Sequence, residues 1–129
     1  MGLATSSDAN VALARKVFSL FQTEDFSSVV QLLHEDVEAR PSMDGAPLLK
    51  GRDAVEGWWS RFASADAEFE VRPLEFEPRD DCVIVRGYLR HRSGRTLAES
   101  QVFWLYEIHD GVITRMESHP TRASAVAAL

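Results

Sequence analysis

The chain has 129 residues, a formal net charge of −6 and 45% hydrophobic residues. This length and apolar content suit one domain over residues 1–129 and exclude wholesale disorder, while the negative charge argues against a general nucleic-acid binder, because neutralising phosphates requires clustered lysine and arginine. Cys82 is the only cysteine, no apolar run approaches the about 20 residues of a membrane span, and no signal peptide is recognisable, so we expect a cytoplasmic protein without a membrane partner.

Three helices are predicted in the first half of the chain. The first is SSDANVALARKVFSLF, with Ser7 or Asp8 as its N-cap and apolar residues at helical spacing. The second is the shorter TEDFSSVVQLL, with Thr23 as its cap. A short strand, VEAR, and the Pro/Gly-rich loop PSMDGAPLLKG come next. The third helix, RDAVEGWWSRFA, places Trp58 and Trp59 on or near one apolar face.

Strands dominate after Ala65. EFEVRPLEFEP alternates apolar and polar residues but changes parity at Pro73, which predicts a bulge or bend. CVIVRGYLRHR and TLAESQVFWLYEI are long strands joined by a two-residue Ser93-Gly94 hairpin, and VITRMESH is the last strand. The Ala-rich tail TRASAVAAL predicts a closing helical turn. Helices followed by a strand meander indicate an α+β fold, with helices covering one face of a curved antiparallel sheet.

The Ser93-Gly94 hairpin decides which side chains share a face of the sheet. With Arg92 opposite Arg95, Val85 pairs with Val102, and directly opposed residues lie on the same side. One face is then apolar: Val83, Val85, Leu89, Val102 and Trp104. The other mixes charged, polar and hydrophobic side chains: Ile84, Arg86, Tyr88, Arg90, Glu99, Gln101 and Phe103. We expect this mixed face to form a homodimer.

The turn at Asp110-Gly111 leaves two alternatives open. If its loop has two residues, three ionisable side chains join the apolar face: Arg115, Glu117 and His119. If the loop has three residues and begins at His109, these side chains move to the opposite face and Met116 lies beside Trp104. We favour the three-residue loop, because burying unpaired charge in an apolar wall is costly.

Three segments, in their order and spacing, resemble the SnoaL-like branch of the nuclear-transport-factor-2-like superfamily: TEDFSSVVQLLHEDV, KGRDAVEGWW and YEIHDGVITRMESH. That branch includes polyketide cyclases and ketosteroid isomerases. The resemblance covers nearly the whole chain. It implies a cone-shaped α+β domain, with N-terminal helices packed on a curved, mainly antiparallel sheet. It also implies a ligand pocket between the helices and the concave sheet face, and frequent dimerisation through the other face.

The catalytic groups of the resembled families are not in their places. The isomerases use a tyrosine of the first helix, a base and a second acid, and their places here hold Val17, Arg40 or Pro41, and Trp104, in that order. The cyclases use an aspartate, and its place here holds Ser118. We therefore assign no catalytic residue. Ser118 is not expected to act as a base, because a serine hydroxyl needs a partner base and His119 is expected to point to the opposite face.

Nine residues are predicted to bind ligand: Trp58, Trp59, Val85, Val102, Trp104, Tyr106, Met116, Ser118 and Arg40. The aromatic rings would stack on a flat apolar ligand, or else fill the core. Arg40 would bind an anionic group, or else pair with Glu38 or Asp44. The four histidines lack the spacing of a metal site, so we predict no metal, and we identify no cofactor motif.

Three functions stay open on the sequence. We favour a domain that binds a small hydrophobic molecule in an apolar pocket and lacks the family's catalytic acids. The second is an acid–base lyase, isomerase or cyclase acting on a small hydrophobic substrate through a residue such as Asp44 or His119. The third is a dimeric accessory protein with a filled pocket. An open cavity would disfavour the third, and a carboxylate or histidine buried inside it would favour the second.

Overall fold

A computed structural model describes residues 6–41, 47–64 and 67–129. Asp44, the candidate base and candidate partner of Arg40, lies outside the described residues. The described elements are, in chain order, α1 (Ser6–Gln22), α2 (Phe26–Val30), β1 (Leu33–Arg40), β2 (Leu49–Lys50), α3 (Arg52–Ser64), β3 (Ala67–Arg79), β4 (Cys82–Ser93), β5 (Thr96–His109), β6 (Val112–His119) and α4 (Arg122–Ala127). The described strands form one sheet in the order β2-β1-β6-β5-β4-β3. Its strand pairs are antiparallel except β1 with β6.

The predicted α+β fold is confirmed, although several element ends differ. α1 begins at Ser6, before both predicted cap residues. α2 is capped by Asp25 and not by Thr23, whose hydroxyl donates to carbonyls of α1 instead. β1 begins earlier than predicted, at Leu33, and the predicted loop contains the short strand Leu49–Lys50. None of the helices in the described ranges is both long and apolar enough to cross a membrane.

The main core lies between α1, α3 and one face of the sheet, here called the concave face. Phe18 of α1 is at its centre, with its ring centroid 5.0 Å from that of Trp104 and 5.8 Å from that of Tyr106, both edge-on. Aromatic pairs in such geometry contribute about 0.5–1.5 kcal/mol beyond their area burial. These contacts hold α1 against β5.

The β4–β5 hairpin turns one residue later than predicted. Ser93 pairs with Thr96, and Gly94, with φ of 60°, takes the first loop position, where a two-residue turn favours glycine. Val85 therefore pairs with Trp104 and not with Val102. Because side chains alternate with a period of two, this shift of two positions keeps each side chain on its predicted face. The predicted apolar face is thus confirmed, although its residues are paired across the strands differently from the prediction.

The β5–β6 loop has two residues, so the predicted three-residue loop was wrong. His109 pairs with Val112, and Asp110 and Gly111 both have positive φ, 52° and 78°. A primed two-residue turn requires this conformation at both central residues, and glycine adopts it without a steric penalty.

A bulge at Thr114 nevertheless keeps the later side chains of β6 on the faces of the sheet that were predicted for them. Ile108 pairs with Ile113 but Glu107 with Arg115, which leaves Thr114 as the extra residue. Its hydroxyl donates to the carbonyl and carboxylate oxygens of Glu107, at 3.2 and 3.0 Å. Beyond the bulge, the ionisable residues alternate away from the apolar wall, as expected: Arg115, Glu117 and His119.

The opposite, convex face of the sheet is partly covered by α4. Ile84 and Phe103 were expected to be free for a dimer, but they are 2% and 8% exposed because they pack with Ala125 of this helix. An ion pair between Arg122 and Glu77, with 2.6 Å between nitrogen and oxygen, also holds α4 in place. A dimer contact through this face must therefore use α4 itself or the part that α4 leaves open.

Gly87 provides the space in which the Trp104 ring lies. It pairs with Pro73, where β3 has the predicted bulge, and with Val102 of β5. A Cβ at residue 87 would lie 2.8 Å from a ring carbon of Trp104 and would overlap the carbonyl oxygen of Arg72. The position therefore excludes every side chain larger than hydrogen.

Gly87→Ala is expected to lower the free energy of unfolding by at least about 1–3 kcal/mol, the usual cost of overpacking a core. Gly57→Ala is the matched control: Gly57 lies in α3, and a Cβ there meets no atom within 4 Å. That change should raise the free energy of unfolding by about 0.4–1 kcal/mol. Urea denaturation of both variants measures the difference, and a Gly87→Ala protein as stable as wild type would contradict the packing described.

Candidate functional site

A cavity of about 540 Å³ lies between α1, α3 and the concave face of the sheet. Its volume falls within the about 300–1,000 Å³ usual for small-molecule pockets. Aromatic side chains from both helices and from β5 form much of the wall: Phe18, Phe21, Trp58, Trp59, Trp104 and Tyr106. Such rings present flat apolar faces together with a few polar edges.

Eight of the nine residues predicted to bind ligand line this cavity: Arg40, Trp58, Trp59, Val102, Trp104, Tyr106, Met116 and Ser118. Val85 is the exception. Its side chain is on the predicted face, but it is 0% exposed within the core and has no surface to offer a ligand. The ligand-binding role of the other eight stays a prediction.

The contribution of α1 to the cavity wall was not predicted. The apolar residues of this helix were recognised only by their helical spacing, yet Phe18 and Phe21 both line the cavity. The ring of Phe21 meets that of Trp59 edge-on, with 4.7 Å between centroids. Phe18 and Phe21 are three residues apart, which places both on one face of α1. Trp58 and Trp59 give α3 an aromatic face as well, and this pair of aromatic faces was the sequence signal that both helices border one cavity.

The rim of the cavity is formed by exposed lining residues: Arg40, Ser100, Gln101 and Pro120. Among the described residues, Arg40 forms no ion pair, so the proposed partnership with Glu38 is not present. Its guanidinium is a planar donor group that fits a carboxylate. Positive charge is therefore available at the rim.

Tyr106 carries the hydroxyl group of the buried aromatic wall. The residue is 4% exposed, and in the described part of the chain no hydrogen bond is made by its hydroxyl. No fully buried side-chain nitrogen or oxygen there lacks a partner, so the hydroxyl must reach the cavity surface. Burial raises the pKa of the Tyr106 phenol far above its ordinary value of 10.0, and the group stays protonated at neutral pH. It can donate one hydrogen bond into the cavity.

A polar network lies where β6 ends, on the convex side. His119 Nε2 is 2.9 Å from Glu117 Oε1, and His119 Nδ1 is 2.7 Å from Ser124 Oγ of α4. Arg115 donates to the second carboxylate oxygen of Glu117 and to the carbonyl of Ala128. His119 thus points away from Ser118, as expected, although Glu117 and His119 also border the cavity at the strand end.

The inherited catalytic positions are apolar or uncharged, apart from Arg40. Val17 is fully buried, Trp104 belongs to the aromatic wall, and Ser118 is half-buried at the cavity. Within residues 6–41, 47–64 and 67–129, no three histidine, cysteine, aspartate or glutamate side chains are grouped closely enough to hold a metal ion.

The comparisons with known proteins agree with this architecture. A SnoaL-like domain family model matches residues 14–116. Among proteins of curated function, none matches the sequence.

Several solved structures share the fold at low sequence identity. TerC co-crystallized with polyporic acid has a TM-score of 0.78 and 21% identity, over 92% of this chain and 96% of TerC. A putative polyketide cyclase from Xanthomonas campestris pv. campestris has a TM-score of 0.78 and 16% identity, over 95% and 98% of the two chains. An LEH-like epoxide hydrolase from M. tuberculosis has a TM-score of 0.79 and 17% identity, over 98% and 89%. At these identities the likeness establishes the fold alone.

The buried phenol of Tyr106 predicts a loss of stability at alkaline pH. Unfolding returns its pKa to about 10, whereas the folded protein keeps it higher, so the stability it provides is complete below pH 10 and falls as the pH rises further. The loss reaches at most about 1.4 kcal/mol per pH unit. Urea unfolding of wild type and Tyr106→Phe should give a constant difference from about pH 7 to 9, after which wild type weakens relative to the variant. A difference that stays constant to about pH 11 would contradict the burial of this hydroxyl.

Proposed function

The chain belongs to the SnoaL-like domain family, and on that premise we propose that it binds a small, flat, hydrophobic molecule in the cavity between α1, α3 and the concave sheet face. The observation that carries this proposal is the aromatic wall around one buried hydroxyl without a partner, that of Tyr106. Stacking faces around a buried hydroxyl donor suit an apolar ring system that carries an oxygen acceptor.

The charge distribution refines the ligand class. Tyr106 offers a neutral donor within the wall, and Arg40 offers a cation at the solvent-exposed rim. We infer a ligand with a carbonyl, hydroxyl or ether oxygen on its buried side. A carboxylate or other anionic group is accommodated near Arg40, because a guanidinium binds such groups through two parallel hydrogen bonds.

Two observations support binding over the other functions considered. The positions of the family's catalytic groups hold Val17, Arg40 or Pro41, Trp104 and Ser118, and none of these can accept a proton unaided at neutral pH. A cavity of about 540 Å³ also favours a ligand-binding domain over an accessory protein with a filled pocket. Among the similar structures is one co-crystallized with polyporic acid, which is consistent with a cone that admits a ligand.

We also propose a homodimer through the part of the convex face that α4 leaves open. Tyr88 is half-buried and Gln101 is exposed there, beside a cross-strand ion pair of Arg90 with Glu99. Polar residues around a partly exposed aromatic suit a symmetric contact. Light scattering at tens of micromolar should give about twice the chain mass of 14.5 kDa. A mass of one chain at that concentration would contradict the proposal.

Tyr106→Phe tests the donor with two probes of similar shape, 2-acetylnaphthalene and 2-ethylnaphthalene, which differ in one carbonyl oxygen. Binding is followed by quenching of the fluorescence of the three tryptophans, all of which line the cavity. The variant should bind 2-acetylnaphthalene about 2- to 12-fold more weakly, as expected for one hydrogen bond of about 0.5–1.5 kcal/mol, and 2-ethylnaphthalene unchanged.

Tyr88→Phe is the matched control, since Tyr88 is the other tyrosine and lies on the convex face. It should change neither affinity. If wild type binds neither probe, the proposed function fails for this ligand class. If both probes bind and Tyr106→Phe affects them equally, the donor role of Tyr106 is wrong.

A further inference from the structure

Three side chains at the end of β6 are hydrogen-bonded in series, serine to histidine to glutamate. Ser124 Oγ lies 2.7 Å from His119 Nδ1, and His119 Nε2 lies 2.9 Å from Glu117 Oε1. We propose that this series is an acyl-transfer site, in which Ser124 is the nucleophile, His119 its base and Glu117 the group that orients the base. This activity is separate from ligand binding in the aromatic cavity.

The hydrogen-bond partners determine which nitrogen of His119 carries the proton. The second oxygen of Glu117 accepts from Arg115 at 3.1 Å, in an ion pair between the guanidinium and the carboxylate. A charged carboxylate can only accept, so His119 Nε2 must be the donor. In the neutral imidazole, Nδ1 then carries the lone pair, and the Ser124 hydroxyl must donate to it. This is the orientation in which a histidine removes a proton from a serine.

The three groups are held by rigid elements. Arg115 fixes Glu117 and also donates to Glu107 and to the carbonyl of Ala128. The backbone N–H of Ser124 donates to Thr121 Oγ1, which caps α4. The His119 and Glu117 side chains are each 15% exposed, so water screens their interaction only in part. Ser124 is half-buried.

The position of Ser124 suggests the substrate class. Ser124 belongs to α4 on the convex side and is not one of the residues that line the aromatic cavity, which Glu117 and His119 border at the end of β6. The acyl donor therefore reaches the Ser124 hydroxyl from outside the cavity, and a carboxylic ester with a small acid part fits this position. We assign no oxyanion donors here, so we expect reaction with activated aryl esters, whose leaving groups need little stabilisation.

The reaction balances with water as the only co-reactant. Ser124 Oγ forms a bond to the carbonyl carbon while its proton moves to His119 Nδ1. The C–O bond to the aryl group then breaks, and the departing oxygen takes that proton to leave as a phenol. Water, deprotonated by the same nitrogen, attacks the acyl-serine, and collapse of the intermediate releases the carboxylic acid and returns the proton to Ser124.

The direct test is covalent labelling of the unmodified protein with an alkyl fluorophosphonate, followed by peptide mapping. Attack by the serine displaces fluoride and leaves a phosphonylated side chain. We expect one adduct, on Ser124, and a slow turnover of p-nitrophenyl butyrate that the adduct abolishes. No adduct after hours at millimolar probe, or an adduct on another residue, would overturn the proposal and leave the network with only the structural role of holding α4.

Variants separate the chemical role from the structural one. Ser124→Ala should lose the adduct completely, and His119→Gln should label at least about 100-fold more slowly, the usual minimum for removing a general base. Glu117→Gln should also slow labelling at least about 100-fold, because an amide can donate to Nε2 and favour the wrong tautomer. Circular dichroism checks the fold of each.

Ser28→Ala is the matched control. Its hydroxyl donates to Asp25 at 2.7 Å, which makes it a serine paired with a carboxylate and without an intervening histidine. Labelling and turnover should equal those of wild type. If Glu117→Gln and His119→Gln, both folded, label at the wild-type rate, Ser124 reacts without the series and the proposal is wrong.

Discussion

The edge-on packing of Phe18 against Trp104 and Tyr106 is the contact on which both the fold and the cavity depend. It holds α1 against β5 and supplies three of the rings that line the cavity. The contact is possible because Gly87 leaves room for the Trp104 ring at the bulge of β3. Core packing and the walls of the site are therefore the same set of atoms, and a change that relaxes one alters the other.

Alternation of side chains made the faces of β4, β5 and β6 predictable even though both hairpins were placed incorrectly. Each error displaced the pairing by two positions, and a period-two pattern is unchanged by such a shift. The loop length itself was not predictable, because the bulge at Thr114 depends on a bond to Glu107 across the strands. Val85 was likewise assigned to the correct face of the sheet. How deeply its side chain is buried depends on how the helices pack on that face, which the alternation of side chains does not predict.

The convex face was the part of the molecule that sequence reasoning described least well. Apolar residues among charges suggested a partner chain, whereas α4 of the same chain covers Ile84 and Phe103. The Ala-rich tail was recognised as helical, but six residues give no strong periodicity with which to locate it. The polar series through His119 arises from that docking, since Ser124 belongs to the helix and Glu117 to the strand.

The extra residue at Thr114 makes the faces of β6 depend on whether the bulge is kept. If Thr114 were drawn into the regular pairing opposite Glu107, the register beyond it would move by one residue, and Arg115 and Glu117 would replace Met116 and Ser118 opposite Tyr106 and Trp104. A slip of one residue, with every side chain of the strand unchanged, would thus convert a mostly apolar cavity into one that contains a charged pair. Loss of one bulge is a shorter path to a charged site than a series of point substitutions.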